Sequence, residues 1–359
     1  MINSKFLSEI FTQEKSFSDI PKKDVNLFLE LADEHGMTTL LYQAWKNDAK
    51  WKGVPEVFKR EFKVASNILA ISQVLRKNEW DKVSEALDKA GVGSLLLKGF
   101  PLAYTYYEYP WLRPSLDTDI LIEEKNTEAV NRIMDSLGYY SLNAVQGQLI
   151  TNQFSRYRDE NGTRHVYDFH FKISNPAIFS EFLTFEEVAE KAIDVPALGP
   201  YSKMPCLEHM LLIALIHRVA HHHNDEKLVW LYDIYLLARE LNERKFAAFW
   251  HMAAEKKMTH VCEEGLRLAK LHFGLNCADL VLVNDETSAT YLRPGNILRK
   301  NFLFNLKYLP GLGSKLTYLK NYAFPPLDYM LNKYKIKHRF FLPWYYFKRG
   351  YQGIRNFFN

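Results

Sequence analysis

A chain of 359 residues that is 47% apolar and 25% charged can fill two or three packed domains and is too apolar to be disordered. Its three cysteines, Cys206, Cys262 and Cys277, show no CxxC spacing, which excludes a disulfide or zinc framework and fits reduced thiols. The net charge of +4 conceals an imbalance: residues 287–359 hold 13 Lys/Arg against one acid, Asp328, leaving 33 basic and 41 acidic residues elsewhere.

That imbalance points to an anionic partner for the C-terminal segment, or to its docking on the acidic body. Lys5, Glu9 and Glu14 interrupt the N-terminal stretch, so no signal-peptide core is expected there. MLLIALI and its neighbours form the longest apolar run, far short of a membrane span. The expectation is therefore a cytoplasmic protein without a transmembrane segment, with peripheral attachment to the inner membrane face left open.

In chain order, residues 1–50 read as short amphipathic helices, with a start at Ser18–Asp19 before Pro21. The apolar spacing then predicts a long helix from about Pro55 to Ala90, ended by Gly91 and Gly93. A change of period follows. SLLLK (94–98) and DTDILI (117–122) read as short strands, separated by the Tyr/Pro-rich PLAYTYYEYPWLRP. NTEAVNRIMDSLG (126–138) reads as a helix stopped by Gly138. YYSLNAV, QLITNQFSRYR and TRHVYDFHFKI are strand-like, and Asn161–Gly162 between the last two signals a hairpin. From about 178 the pattern is helical again, and the last 70 residues break into short helices and loops. The expected organisation is a helical region over 1–91, a small α/β core over 92–175, a helical domain over 176–286 and a basic, aromatic-rich segment over 287–359.

The sharpest chemical signal is Asp117-Thr118-Asp119. Side chains alternate along a strand, so the two aspartates share one face while Thr118 and Ile120 take the other. Like charges on one face resist burial, and a hard divalent cation such as Mg²⁺ or Mn²⁺ is what paired carboxylates hold well. In HVYDFHFKI, Asp168 and His170 share a face. If the hairpin sets this strand beside DTDILI, Asp168 becomes the third metal carboxylate and His170 comes within reach of a phosphate. Lys98 ends a buried strand, where a lysine needs a partner, and a phosphate is favoured. Arg113 sits four residues before the first aspartate; it either contacts phosphate or pairs with Glu108 or Asp117.

His217 and His221 lie i, i+4 on a helix, the spacing of two zinc ligands, but HRVAH lacks the glutamate of HExxH and no third ligand has diagnostic spacing. The tail LNKYKIKHRFFLPWYYFKRGYQGIRNFFN carries seven Lys/Arg, ten aromatics and no acid. It reads as a docked final segment, a nucleic-acid surface or an interfacial membrane patch.

Taken together, LLLKGFPLAYTYY and RPSLDTDILI resemble the polymerase-β-like nucleotidyltransferase superfamily, and more narrowly its bacterial branch of uncharacterised nucleotidyltransferases. The matching positions are Leu97-Lys98-Gly99, Leu102, Arg113-Pro114, Asp117-Thr118-Asp119-Ile120-Leu121-Ile122, Gly138-Tyr139 and Asp168-Phe169-His170-Phe171. Downstream, helical histidines and Leu228-Val229-Trp230-Leu231-Tyr232-Asp233 continue the match over about 90–235.

The resemblance implies an α+β minimal nucleotidyltransferase fold, a short mixed sheet with flanking helices set between helical regions. It implies Mg²⁺-dependent transfer of a nucleoside monophosphate from an NTP, such as ATP, to an unknown acceptor hydroxyl or phosphate. Asp117, Asp119 and Asp168 would be the catalytic metal ligands, and Lys98, Gly99, Arg113 and His170 the nucleotide contacts. His217, His221 and Asp233 would help bind substrate. The basic tail would meet an anionic surface: lipid-linked sugar, membrane or nucleic acid. The alternatives are a catalytically silent fold used for binding or regulation, and a toxin acting on tRNA. Many superfamily members carry a Gly-Ser pair in the turn after the first strand; here the turn reads Lys98-Gly99-Phe100-Pro101.

Overall fold

The computed structural model describes residues 2–141, 152–160, 162–220, 226–276, 290–292, 297–336 and 338–358. Helices dominate, and a mixed four-stranded sheet sits among them.

The first three helices, α1 (Ser4–Phe11), α2 (Val25–Glu34) and α3 (Thr38–Trp45), are short and amphipathic. Between α1 and α2 the expected start at Ser18–Asp19 shifts to Ser16, whose side chain and that of Asp19 form a reciprocal capping box around a 3₁₀ turn. Helix α4 (Glu56–Lys89) realises the long predicted helix. Its Phe58 and Phe62 pack with Phe17 and Phe28, closing an aromatic core at the N-terminal end.

Strands β1 (Ser94–Leu97), β2 (Thr118–Ile122), β3 (Gln153–Glu160) and β4 (Thr163–His170) form the sheet, ordered β1-β2-β4-β3. β1 runs antiparallel to β2, β2 parallel to β4, and β4 antiparallel to β3. α5 (Gly99–Thr105) follows β1, and α6 (Thr127–Ser136) lies between the parallel strands. The hairpin joins β3 to β4 through Gly162, whose φ of +75° suits a residue without Cβ. Expected strand residues 142–151 lie outside the described residues; Tyr140 bridges to Tyr157 on β3.

Thr118, Ile120 and Ile122 are buried, as is Tyr167 beside Thr118. Trp80 of α4 stacks on Tyr167 at 6.3 Å, and its indole Nε1 donates to Ser202 Oγ at 2.7 Å. One helix therefore backs the sheet and ties it to the later chain. The stretch read as helical from about 178 opens with two short helices, α7 (Ala177–Ser180) and α8 (Phe185–Glu190). A two-residue hairpin pair, β5 (Ile193–Asp194) and β6 (Lys203–Met204), escaped the sequence pattern, being too short to show a period.

α9 (Leu207–Ala220), α10 (Leu228–Arg239), α11 (Glu243–Glu255) and α12 (Thr259–Phe273) pack into a helical layer. A Cβ on Gly265 of α12 would come within 2.3 Å of the Leu215 side chain on α9, so any larger residue would force Leu215 to move. One buried apolar cluster joins α1 to α4, the sheet and this layer. Beyond it, helices span Ile297–Tyr308, Gly311–Ala323, Leu327–Tyr334 and Leu342–Phe358, the last longer than the expected short elements. Among the described residues no helix is long and apolar enough to cross a membrane.

Candidate active site

The register of β2 against its neighbours builds the site. Asp119 pairs with Leu97 of β1 on one side and with Asp168 of β4 on the other, so two carboxylates sit side by side on adjacent strands. Asp117 precedes β2 by one residue, and strand alternation returns it to the same face. One carboxylate oxygen from each of Asp117, Asp119 and Asp168 lies within 4.8 Å of the others.

Asp119 is the most buried of the three, only 7% exposed. A carboxylate there needs charged donors. Lys98 Nζ donates to its Oδ1 at 2.8 Å, and His170 Nε2 approaches the same oxygen at 2.7 Å. Burial alone would raise the Asp119 carboxyl; the Lys98 ammonium and the His170 hydrogen bond outweigh it and hold the group well below the usual range. Asp168 Oδ1 accepts from Ser155 Oγ on β3, its partner in register.

Asp117 behaves oppositely. Burial and the neighbouring charges of Asp119 and Asp168 raise its carboxyl, against the lowering pull of Lys98 and Arg76. Negative charge is thus in excess at this corner, which a divalent cation would reverse. The second oxygens of Asp119 and Asp168 receive no protein donor among the described residues, so both are free to bind an ion. Three carboxylate oxygens brought this close together could hold a metal ion.

The turn after β1 is bent unusually. Lys98 adopts φ +59° and ψ −136°, a conformation that costs a side-chain-bearing residue about 1–3 kcal/mol. It aims the ammonium back across β1 to Asp119. Gly99 follows, and a Cβ there would sit 3.1–3.3 Å from the Arg113 guanidinium, so glycine allows that close approach.

Arg113 does not face the carboxylates. Its guanidinium grips Asp233 of α10 through Nε (2.9 and 3.0 Å) and Nη2 (2.7 Å), and Tyr107 Oη donates to the same carboxylate at 2.6 Å. Arg113 and Asp233 are both buried. Burial opposes the charge on Arg113, but Asp233 more than compensates and raises its pKa. The partner is therefore neither of the acids, Glu108 and Asp117, weighed from the sequence, and Asp233 is engaged within the protein. His217 is half-buried and meets Trp230 edge-on at 5.9 Å. His221 lies outside the described residues.

Sequence reasoning missed three contributors. Arg76 of α4 donates to the backbone carbonyls of Ser115 and Asp117, clamping the loop that presents the aspartates. Its neighbour Gln73 holds the Arg113 carbonyl at 3.1 Å. On an amphipathic helix rich in charge, Arg76 carries no signal separating it from solvated neighbours. Ser155 could have been found only by knowing the β3–β4 register.

A family model described as an uncharacterised nucleotidyltransferase matches residues 21–274. No curated protein and no solved structure matches the chain.

Proposed function

The chain belongs to the uncharacterised nucleotidyltransferase family, and on that premise we propose that it transfers a nucleoside monophosphate from an NTP to an acceptor hydroxyl or phosphate. The observation that supports this most is the convergence of Asp117, Asp119 and Asp168 within 4.8 Å. These three would hold Mg²⁺ or Mn²⁺, which when bound neutralises triphosphate charge and lowers the cost of negative charge at the reacting phosphorus.

The chain's own residues then have separate tasks. Asp117 and Asp119 orient the triphosphate side. Asp168, with one oxygen fixed by Ser155, would use the other to complete the cation site that activates the acceptor or to take the acceptor proton. The acceptor oxygen forms a bond to the α-phosphorus as the bond to the bridging oxygen breaks, pyrophosphate leaves, and the acceptor proton passes to Asp168 or water. Lys98, whose ammonium already pairs with Asp119, would supply charge toward the phosphates where other members have the Gly-Ser turn. His170 keeps Asp119 ionised and oriented. Arg113 and Asp233 position the loop rather than touch the nucleotide.

The test is incubation with each α-labelled NTP, Mg²⁺ or Mn²⁺ and candidate acceptors, following pyrophosphate release and label transfer. Transfer that is lost in Asp119→Asn supports the reading. Nucleotide binding without transfer to any acceptor would assign the fold to a binding module.

A further inference from the structure

The final helix, Leu342–Phe358, uses one face and leaves the other bare. Its packed face is well occupied. Tyr345 meets Tyr334 at 5.2 Å, Tyr346 Oη donates to the Pro325 carbonyl at 2.6 Å, and the Arg349 guanidinium lies 5.6 Å over the Tyr329 ring. On the opposite side Trp344, Phe347 and Tyr351 follow one stripe, continued by Phe340 in the turn that feeds the helix. Their exposures are large: Phe340 87%, Trp344 61%, Phe347 68% and Tyr351 63%. Trp344 and Phe347 stack on each other at 6.0 Å and on nothing else described.

Charge says what would cover this stripe. Lys348 and Arg355 flank it on the helix, both exposed, and exposed Lys333, Lys335 and Arg339 precede it. The helix carries no acid, and Asp328 is the one acid in residues 287–359. The Gly311–Ala323 helix repeats the pattern with Leu312, Leu316 and Leu319 exposed beside Lys315 and Lys320. Leucines bury well among acyl chains but offer no ring for a base to stack on, so a nucleic acid would leave that stripe unused. Aromatics at the stripe with cations at its edges match the interfacial zone of an anionic bilayer.

We propose that the Phe340–Trp344–Phe347–Tyr351 face docks the protein onto an anionic membrane surface, lying in its plane. Its docking does not depend on the transfer reaction, so either can fail alone.

The experiment is co-sedimentation of the full chain with vesicles of phosphatidylcholine plus phosphatidylglycerol, and with phosphatidylcholine alone. The expected result is binding to the anionic vesicles that is weaker by about tenfold or more on neutral ones. Trp344→Ser/Phe347→Ser should weaken anionic binding by about tenfold or more while leaving the melting temperature unchanged. Lys348→Glu/Arg355→Glu, which keeps the aromatic face, should also lose the preference for anionic vesicles. Equal binding by wild type and the aromatic variant, or no binding to anionic vesicles, overturns the proposal. So does binding to single-stranded RNA in place of vesicles, or a dimer that the aromatic variant converts to monomer without any vesicle binding.

Discussion

Arg113 and Asp233, 120 residues apart in sequence, are locked together by three hydrogen bonds from one guanidinium to one carboxylate. Arg113 follows the short 3₁₀ turn Pro110–Leu112 and opens the loop to Asp117; Asp233 sits inside α10. The pair fixes that loop to the helical layer. Asp233→Ala would strand a buried guanidinium and should cost about 3–5 kcal/mol in denaturant unfolding. Arg113→Met/Asp233→Leu should recover a large part of that loss, because no charge is left buried. A double variant no more stable than the single one would show that the pair does more than anchor.

The backbone of Lys98 offers a second test. Lys98→Gly and Lys98→Ala both remove the ammonium that pairs with Asp119, yet only glycine accepts φ +59° without strain. The glycine variant should therefore be more stable than the alanine variant by about 1–2 kcal/mol, measured by chemical denaturation. Both should bind nucleotide more weakly than wild type. Equal stability of the two would mean that the turn is unstrained in solution.

Proton and cation compete at Asp117. Its carboxyl is raised by burial and by Asp119 and Asp168, so the metal-free fold binds a proton there more tightly than the unfolded chain does. The sign follows: that contribution favours the fold at low pH and is lost as pH rises from the ordinary carboxylate value through the raised one. Added Mn²⁺ should consequently raise the melting temperature more as pH climbs through this window, then level off. Asp117→Asn should remove most of that pH dependence, whereas a pH-independent Mn²⁺ effect would place the cation elsewhere.

Ser155 tests the acceptor side. Ser155→Ala frees the Asp168 oxygen that accepts its hydroxyl. The lost hydrogen bond should cost about 0.5–1.5 kcal/mol of stability. Turnover should fall more than NTP affinity, as expected for a residue that orients a base rather than binds nucleotide. A change in affinity alone would move Asp168 to the triphosphate side.

The carboxylate site was legible in part because strand alternation is rigid: once DTD forms a strand, two aspartates must share a face, while the parallel pairing of β4 with β2, rather than the hairpin at Gly162, brings Asp168 alongside. The long helix α4 and the strands β2 and β4 were legible as elements from spacing and composition, whereas the mixed sheet that joins the strands was implied only by the family resemblance. What stayed hidden depended on partners far away in sequence. Nothing near Arg113 names Asp233, and nothing on α4 marks Arg76 as the clamp on Ser115 and Asp117. The Lys98 conformation is likewise invisible in composition, because a lysine gives no warning of a positive φ. Short elements such as β5 and β6 fall below the length at which a period can be read.

The central claim is that Asp117, Asp119 and Asp168 form one divalent-cation site that serves a nucleotide. Titration of the full chain with Mn²⁺, read by the loss of free-ion electron paramagnetic resonance signal with and without ATP, tests it most directly. The expected result is saturable Mn²⁺ binding that tightens when ATP is present and is abolished in Asp119→Asn with the fold intact. Mn²⁺ binding of equal strength in wild type and Asp119→Asn, or none in either, would contradict it.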